Sequence, residues 1–202
     1  MRLLMLALVA ALLAPVALAD RQIFIPIGNK VPFNAFRLEY MLLGRKGDYD
    51  AFATFGVTRE IEAELQFERI GPRPALSTGS LSYTLFNPVT DTIPGISVGV
   101  RDLYNRTQFG RFAYLAATYR IGTEGEMGAD FMDVHLGLGY GHDVFPFVGV
   151  TIPLSQQLSL IGEHDGTQPT GAVQLQPHPG LQVRWIAREH QTIWSFRWTA
   201  RF

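Results

Sequence analysis

The stretch TIWSFRWTARF, residues 192–202, decides how the rest of the sequence reads. By parity, Trp194, Phe196, Trp198, Ala200 and Phe202 fall on one side, and Ser195, Arg197, Thr199 and Arg201 on the other. In a β-strand these sets face opposite ways, so one face is aromatic and the other hydroxylic and cationic. A soluble core rarely needs so many aromatic residues on one strand up to its last position. Hydrocarbon is the solvent that suits the aromatic face, and the arginines then face an interior. The opposite register would place Arg197 in lipid, at a cost of roughly 2–4 kcal/mol near the midplane.

The other end of the 202-residue sequence is also informative. MRLLMLALVAALLAPVALAD has one basic residue, an apolar run from Leu3 to Leu13, Pro15, and Ala17-Leu18-Ala19 before Asp20. This is the layout of a cleaved secretory signal over residues 1–19. Residues 20–34 then form a periplasmic N-terminal leader, and 35–202 a single domain. With no cysteine, an exported product has neither disulfides nor a lipoprotein anchor and folds by burial alone. A net charge of −1 gives no basic excess for nucleic acid. No mature segment approaches the roughly 20 apolar residues of a spanning helix, so a membrane location requires a barrel.

About twelve short segments alternate with period two. The clearest is IEAELQFE (61–68), with Ile61, Ala63, Leu65 and Phe67 opposite Glu62, Glu64, Gln66 and Glu68. FRLEYML (36–42) sets Phe36, Leu38, Tyr40 and Leu42 against Arg37, Glu39 and Met41. The others are DAFATFGV (50–57), SLSYTLF (80–86), GISVGVRD (95–102), RFAYLAATYRI (111–121), FMDVHLGLGYG (131–141), VFPFVGVTI (144–152), LSLIGEHD (158–165), TGAVQLQ (170–176), LQVRWIAR (181–188) and the terminal strand. The expected fold is all-β: a transmembrane antiparallel up-and-down β-barrel of about twelve strands, with ten to twelve as the range. In an even-stranded barrel both termini lie on the periplasmic side. Residues 58–60, 87–95, 122–130, 153–157 and 177–180 then become periplasmic turns. The outward connections are all short, which argues against a lid, plug or large binding loop. The leader RQIFIPIGNKVPF (21–33) is the one segment left to fold inward.

A soluble β-sandwich also alternates. Tyrosine or tryptophan recurs near segment ends, at Tyr40, Tyr83, Tyr119, Tyr140, Trp194 and Trp198, as in the aromatic girdles of membrane barrels. Apolar alternation running into Phe202 resembles the C-terminal recognition signal of Gram-negative outer-membrane barrels. On that resemblance Trp194, Phe196, Trp198 and Phe202 form the insertion signal, read by the barrel assembly machinery as an added strand. The inward set comprises Arg37, Glu39, Glu62, Glu64, Glu68, Arg101, Arg120, Asp133, His135, Glu163, Asp165, Arg184, Arg188, Arg197 and Arg201. Acids of the third strand and arginines of the last two come near one another on closure. They either knit the interior shut or line a narrow polar lumen.

IPGISVGVRDLYNRTQFGRFAYLAATYRIG (93–122), DVHLGLGYG (133–141) and LSLIGEHDG (158–166) together resemble the YjbH-like family of outer-membrane proteins linked to exopolysaccharide production. The features that match are Gly99, Arg101 and Asp102 at one strand end, the Gly-Leu-Gly-x-Gly strand, and the corner Glu163, Asp165, Gly166. The resemblance implies an outer-membrane module serving polysaccharide secretion or envelope organisation, with polysaccharide or export components as partners beside outer-membrane lipid. It implies no catalytic residue.

A reaction centre is hard to assemble from these residues. Asp133 and His135 share an inward face, but no serine is fixed beside the histidine, Ser97 and Ser159 included, so a hydrogen-bond network is the expected role. His164 falls near the outer lipid interface, where a lipid hydrolase would keep its site, without a serine partner. His142, His178 and His190 lack metal-ligand spacing, and no cofactor is expected. The expectation is a non-enzymatic envelope protein, structural or transport-related, in the outer membrane of a diderm bacterium. A barrel-borne lipid hydrolase and a secreted soluble β protein that binds a ligand are the alternatives.

Overall fold

A computed structural model describes residues 21–45, 47–72, 74–107, 109–122 and 131–202. The expected signal segment 1–19, Asp20 and the turn residues 123–130 lie outside them. Twelve strands form: β1 (Ala35–Leu43), β2 (Tyr49–Gly56), β3 (Ile61–Arg69), β4 (Leu76–Phe86), β5 (Gly95–Arg101), β6 (Phe112–Gly122), β7 (Phe131–Tyr140), β8 (Val144–Pro153), β9 (Leu158–His164), β10 (Pro169–His178), β11 (Leu181–Arg188) and β12 (Gln191–Arg201). Each pairs antiparallel with its neighbours in sequence, and β12 returns to β1, closing an up-and-down barrel. The closing seam runs in unbroken register from Ala35 opposite Arg201 to Leu43 opposite Ile193. Closure leaves no free edge strand among the described residues to recruit another chain.

The alternation seen in the sequence sorts side chains between outside and inside. Leu38, Tyr40, Leu65, Phe67, Leu81, Leu115, Leu136, Leu138, Val148, Trp185 and Phe196 point outward and stay exposed. Leu136, at the middle of β7, keeps 49% of its surface accessible, so no other described residue covers the belt there. Cross-strand pairs knit this face, with Trp185 opposite Trp194 and Tyr40 opposite Phe196, each such pair contributing roughly 0.2–1 kcal/mol. Near the end that carries the start of β1, Phe36 meets the Trp198 ring edge-on at 5.2 Å. Toward the opposite end Tyr40 stacks on Tyr49 at 5.5 Å.

The interior differs from the expected wet lumen in two ways. The leader takes the inward course open to it, and residues 21–31 run inside the barrel, mostly buried, where a wet lumen was expected. The inward faces also carry apolar residues for which a polar lumen has no role. Met41, Phe52, Ile161, Ile186 and Ile193 form one buried cluster around Ile23 of the leader. Tyr114, Ala116 and Phe147 form a second around Ile25 and Ile27. These residues give the leader something to bury against, which a fully polar wall would not.

Close approach requires glycine at two places. A Cβ on Gly28 would lie 2.2 Å from the carbonyl oxygen of Gly95, and one on Gly95 2.3 Å from that of Gly28, so leader and β5 meet backbone to backbone. In the Gly-Leu-Gly run of β7, a Cβ on Gly137 or Gly139 would fall 2.1–2.2 Å from the rings of Phe147 and Phe145. The room these glycines leave is taken up by β8 aromatic rings.

Candidate functional site in the barrel interior

At mid-depth, Glu39 on β1 is enclosed by three guanidinium groups. Arg21 of the leader donates to it at 2.8 Å, Arg197 of β12 through Nη2 at 3.1 Å, and Arg184 of β11 also pairs with it. The Ser195 hydroxyl donates to the same carboxylate at 2.6 Å. Glu64 on β3 forms a second node, with Arg21, Arg37 and Arg101 at 3.6–3.7 Å. Arg21 joins the two nodes and lies over the Phe52 ring at 3.6 Å. Opposed charges on β3 and on β11–β12 are therefore joined through the leader, and the interior is knitted together. Removal of water makes each pairing electrostatically strong and each missing partner costly.

A second layer of contacts holds the leader by its backbone. Glu163 accepts from the N–H groups of Ile23 (3.1 Å) and Phe24 (2.9 Å), and Glu62 from that of Val31. Thr118 accepts from Gly28 N–H at 2.7 Å. Arg184 donates to the Gln22 carbonyl at 2.6 Å, Arg101 to that of Phe24 at 2.6 Å, and Ser97 to that of Ile27 at 2.8 Å. Lys30 is buried with the leader, and its desolvation depresses the ammonium pKa, only partly opposed by Glu60 and Glu62. At the barrel end that carries the β9–β10 turn, Arg188 pairs with Asp165 and lies over the Phe24 ring at 4.2 Å.

The remaining predicted residues have local roles. Asp133 forms a bidentate pair with Arg120 at 2.9 and 3.0 Å. His135 shares a 2.9 Å hydrogen bond with Thr118, the residue that also receives Gly28. The acid, the imidazole and Ser97 are thus each engaged elsewhere and form no relay. His164 is exposed and accepts from Gly166 N–H, and His142 pairs with Asp143 in solvent. Among the described residues no three His, Asp or Glu side chains converge as a metal site. Glu68 is buried on β3, and Arg201 is half-buried at the terminal end of β12. Sequence reasoning missed Arg21, Ile23, Ile25, Ser97 and Thr118 as participants. The available signal was the alternating IFIPI of the leader, which matches a wall having its own apolar positions.

Asp102 and Asp165, two aspartates of the matching features, organise the turns after β5 and β9. Asp102, just beyond β5, accepts from Thr78 Oγ1 (2.6 Å) and Arg106 N–H (2.8 Å) on one oxygen, and from Thr107 N–H (2.6 Å) and Oγ1 (2.7 Å) on the other. Burial alone would raise its pKa, yet these bonds outweigh it and the net shift is downward. Asp165 is likewise held low, its burial outweighed by Thr167, the Gln168 and Thr167 N–H groups and Arg188. A carboxylate with a lowered folded pKa contributes stability that is complete above the unfolded value, about 3.9, and is lost as pH falls through the lower folded value. Asp102→Asn removes the charge at all pH values. It should cost the turn about 1–2 kcal/mol, roughly a tenfold gain in opening, read as faster tryptic cleavage after Arg106 at neutral pH. An unchanged cleavage rate would refute this role.

A scan against protein-family models finds none that matches the chain, and a search of curated proteins finds no match. The fold and interior define the class directly: a closed twelve-stranded antiparallel barrel with an apolar exterior and its own leader packed inside.

Proposed function

We propose that this chain is an outer-membrane barrel of a diderm bacterium, structural or transport-related and without enzymatic chemistry. The single observation that carries the reading is the outward face. Residues such as Leu65, Leu81, Leu115, Leu136, Leu138 and Phe196 lie half-exposed around a closed barrel, and none of the described residues forms a further layer over them. Soluble proteins rarely expose contiguous apolar surface beyond a few hundred Å². Eight of the twelve strands run nine to eleven residues, the length that crosses a bilayer when tilted. A secreted soluble β protein would need that belt covered by a partner.

On this reading the assembly machinery recognises Trp194, Phe196, Trp198 and Phe202, and outer-membrane lipid solvates the belt. The exopolysaccharide role rests on the resemblance over residues 93–166, where Asp102 and Asp165 shape the outer turns. Fractionation of expressing cells tests the location: the protein should enter the detergent-extracted outer-membrane fraction and migrate faster on gels unheated than boiled. A monodisperse product in detergent-free buffer would reject it. Deletion in the native host with assay of secreted polysaccharide tests the role, and unaltered secretion would count against it.

A further inference from the structure

The leader is bound as a ligand is bound. Wall side chains meet its backbone in both polarities. Glu163 takes two successive N–H groups, at 3.1 and 2.9 Å, while Arg184 and Arg101 donate to carbonyls at 2.6 Å. Two separate apolar recesses receive alternate side chains, Ile23 in one and Ile25 with Ile27 in the other. Arg21 supplies a charged anchor against Glu39 and Glu64. Main-chain hydrogen bonds give affinity and recesses for alternate side chains give selectivity, the same division found where sheets capture extended peptides. Here, side chains inside a closed barrel replace an open edge.

The leader joins β1 through a tight turn, in which Ala35 N–H donates to the Pro32 carbonyl at 3.1 Å. Phe33 is 50% exposed and Asn34 adopts a left-handed φ of 62°, so the chain turns sharply at the rim before β1 begins. The recognition elements all lie upstream of that turn, between Arg21 and Val31.

We propose that the barrel interior is a peptide-binding site, with the leader as its resident, exchangeable occupant. Its ligand class is a segment of the form Arg-x-Ile-x-Ile-x-Ile, as in Arg21 to Ile27, folded back so that Arg21 bridges Pro26 and Gln22 N–H donates to the Ile25 carbonyl at 3.1 Å. A segment of that pattern on another protein would compete for the same interior. The site depends on the interior alone and holds whether or not the barrel lies in the outer membrane.

The test uses the full chain with a specific protease site inserted between Phe33 and Asn34, folded in detergent and then nicked. The nicked leader should stay with the barrel through gel filtration. It should exchange with an excess of a fluorescent synthetic peptide of residues 21–34, and a scrambled peptide of equal composition should exchange at least tenfold less. Glu163→Leu should weaken retention about tenfold or more. Immediate loss of the leader without rebinding, equal uptake of the scrambled peptide, or no exchange over days would each overturn the proposal. Because the measurement is made in detergent, failure of the outer-membrane reading would appear in fractionation and leave this result untouched.

Discussion

Replacing Glu39 with leucine is expected to lower the stability of the refolded barrel by about 3–5 kcal/mol, the range for removing one member of a buried ion network. Glu39 is 3% exposed and faces Arg21, Arg184 and Arg197 together with the Ser195 hydroxyl. Leucine roughly keeps the volume, so cavity formation adds little. The cost arises because three guanidinium groups remain in an enclosed space after their shared carboxylate is gone. Glu39→Gln keeps the shape and an acceptor for Ser195 but removes the charge, and should fall between wild type and leucine. Denaturant midpoints in detergent micelles provide the comparison. A loss below about 1 kcal/mol would mean that water, rather than the carboxylate, solvates these arginines.

The second large effect concerns the outer belt. Leu136→Arg, at the centre of β7, should cost roughly 2–4 kcal/mol in a bilayer, whereas Ile121→Arg near the terminal end of β6 should cost only about 0–1. Both leucine and isoleucine point outward, 49% and 38% exposed, so burial in the protein does not separate them. Depth in hydrocarbon does. On a water-washed sheet both substitutions would fall within about 0.5 kcal/mol of wild type. Reversible unfolding from lipid vesicles measures the pair, and equal small values would remove the membrane as the solvent of the belt.

The barrel was legible because its signal repeats. Ile61 to Glu68 alone suits a sandwich, yet twelve segments with the same alternation and short turns require a sheet with no spare edge. The inward placement of Glu39, Glu163 and Arg184 follows from parity alone. What parity does not encode is partner choice. Glu64 and Arg197 occupy facing walls, but the residue that links their neighbourhoods, Arg21, belongs to a segment without strand periodicity long enough to assign. Met41, Phe52, Ile186 and Ile193 were equally visible as apolar breaks in polar faces. Their meaning emerges only when the leader is placed against them. The glycines of β7 are of the same kind: the sequence shows missing side chains, and only the register to β8 shows the Phe145 and Phe147 rings that fill the space.

The seam between β1 and β12 constrains the order in which this molecule assembles. Its pairing of Ala35 with Arg201 joins the two most distant strands in the sequence, the sort of long-range closure that is intrinsically slow. The segment directly before β1 ends up enclosed by the cylinder that this closure completes. A late-zipping seam leaves the wall open longest beside the first strand, and so gives the N-terminal segment time to find its seat before closure.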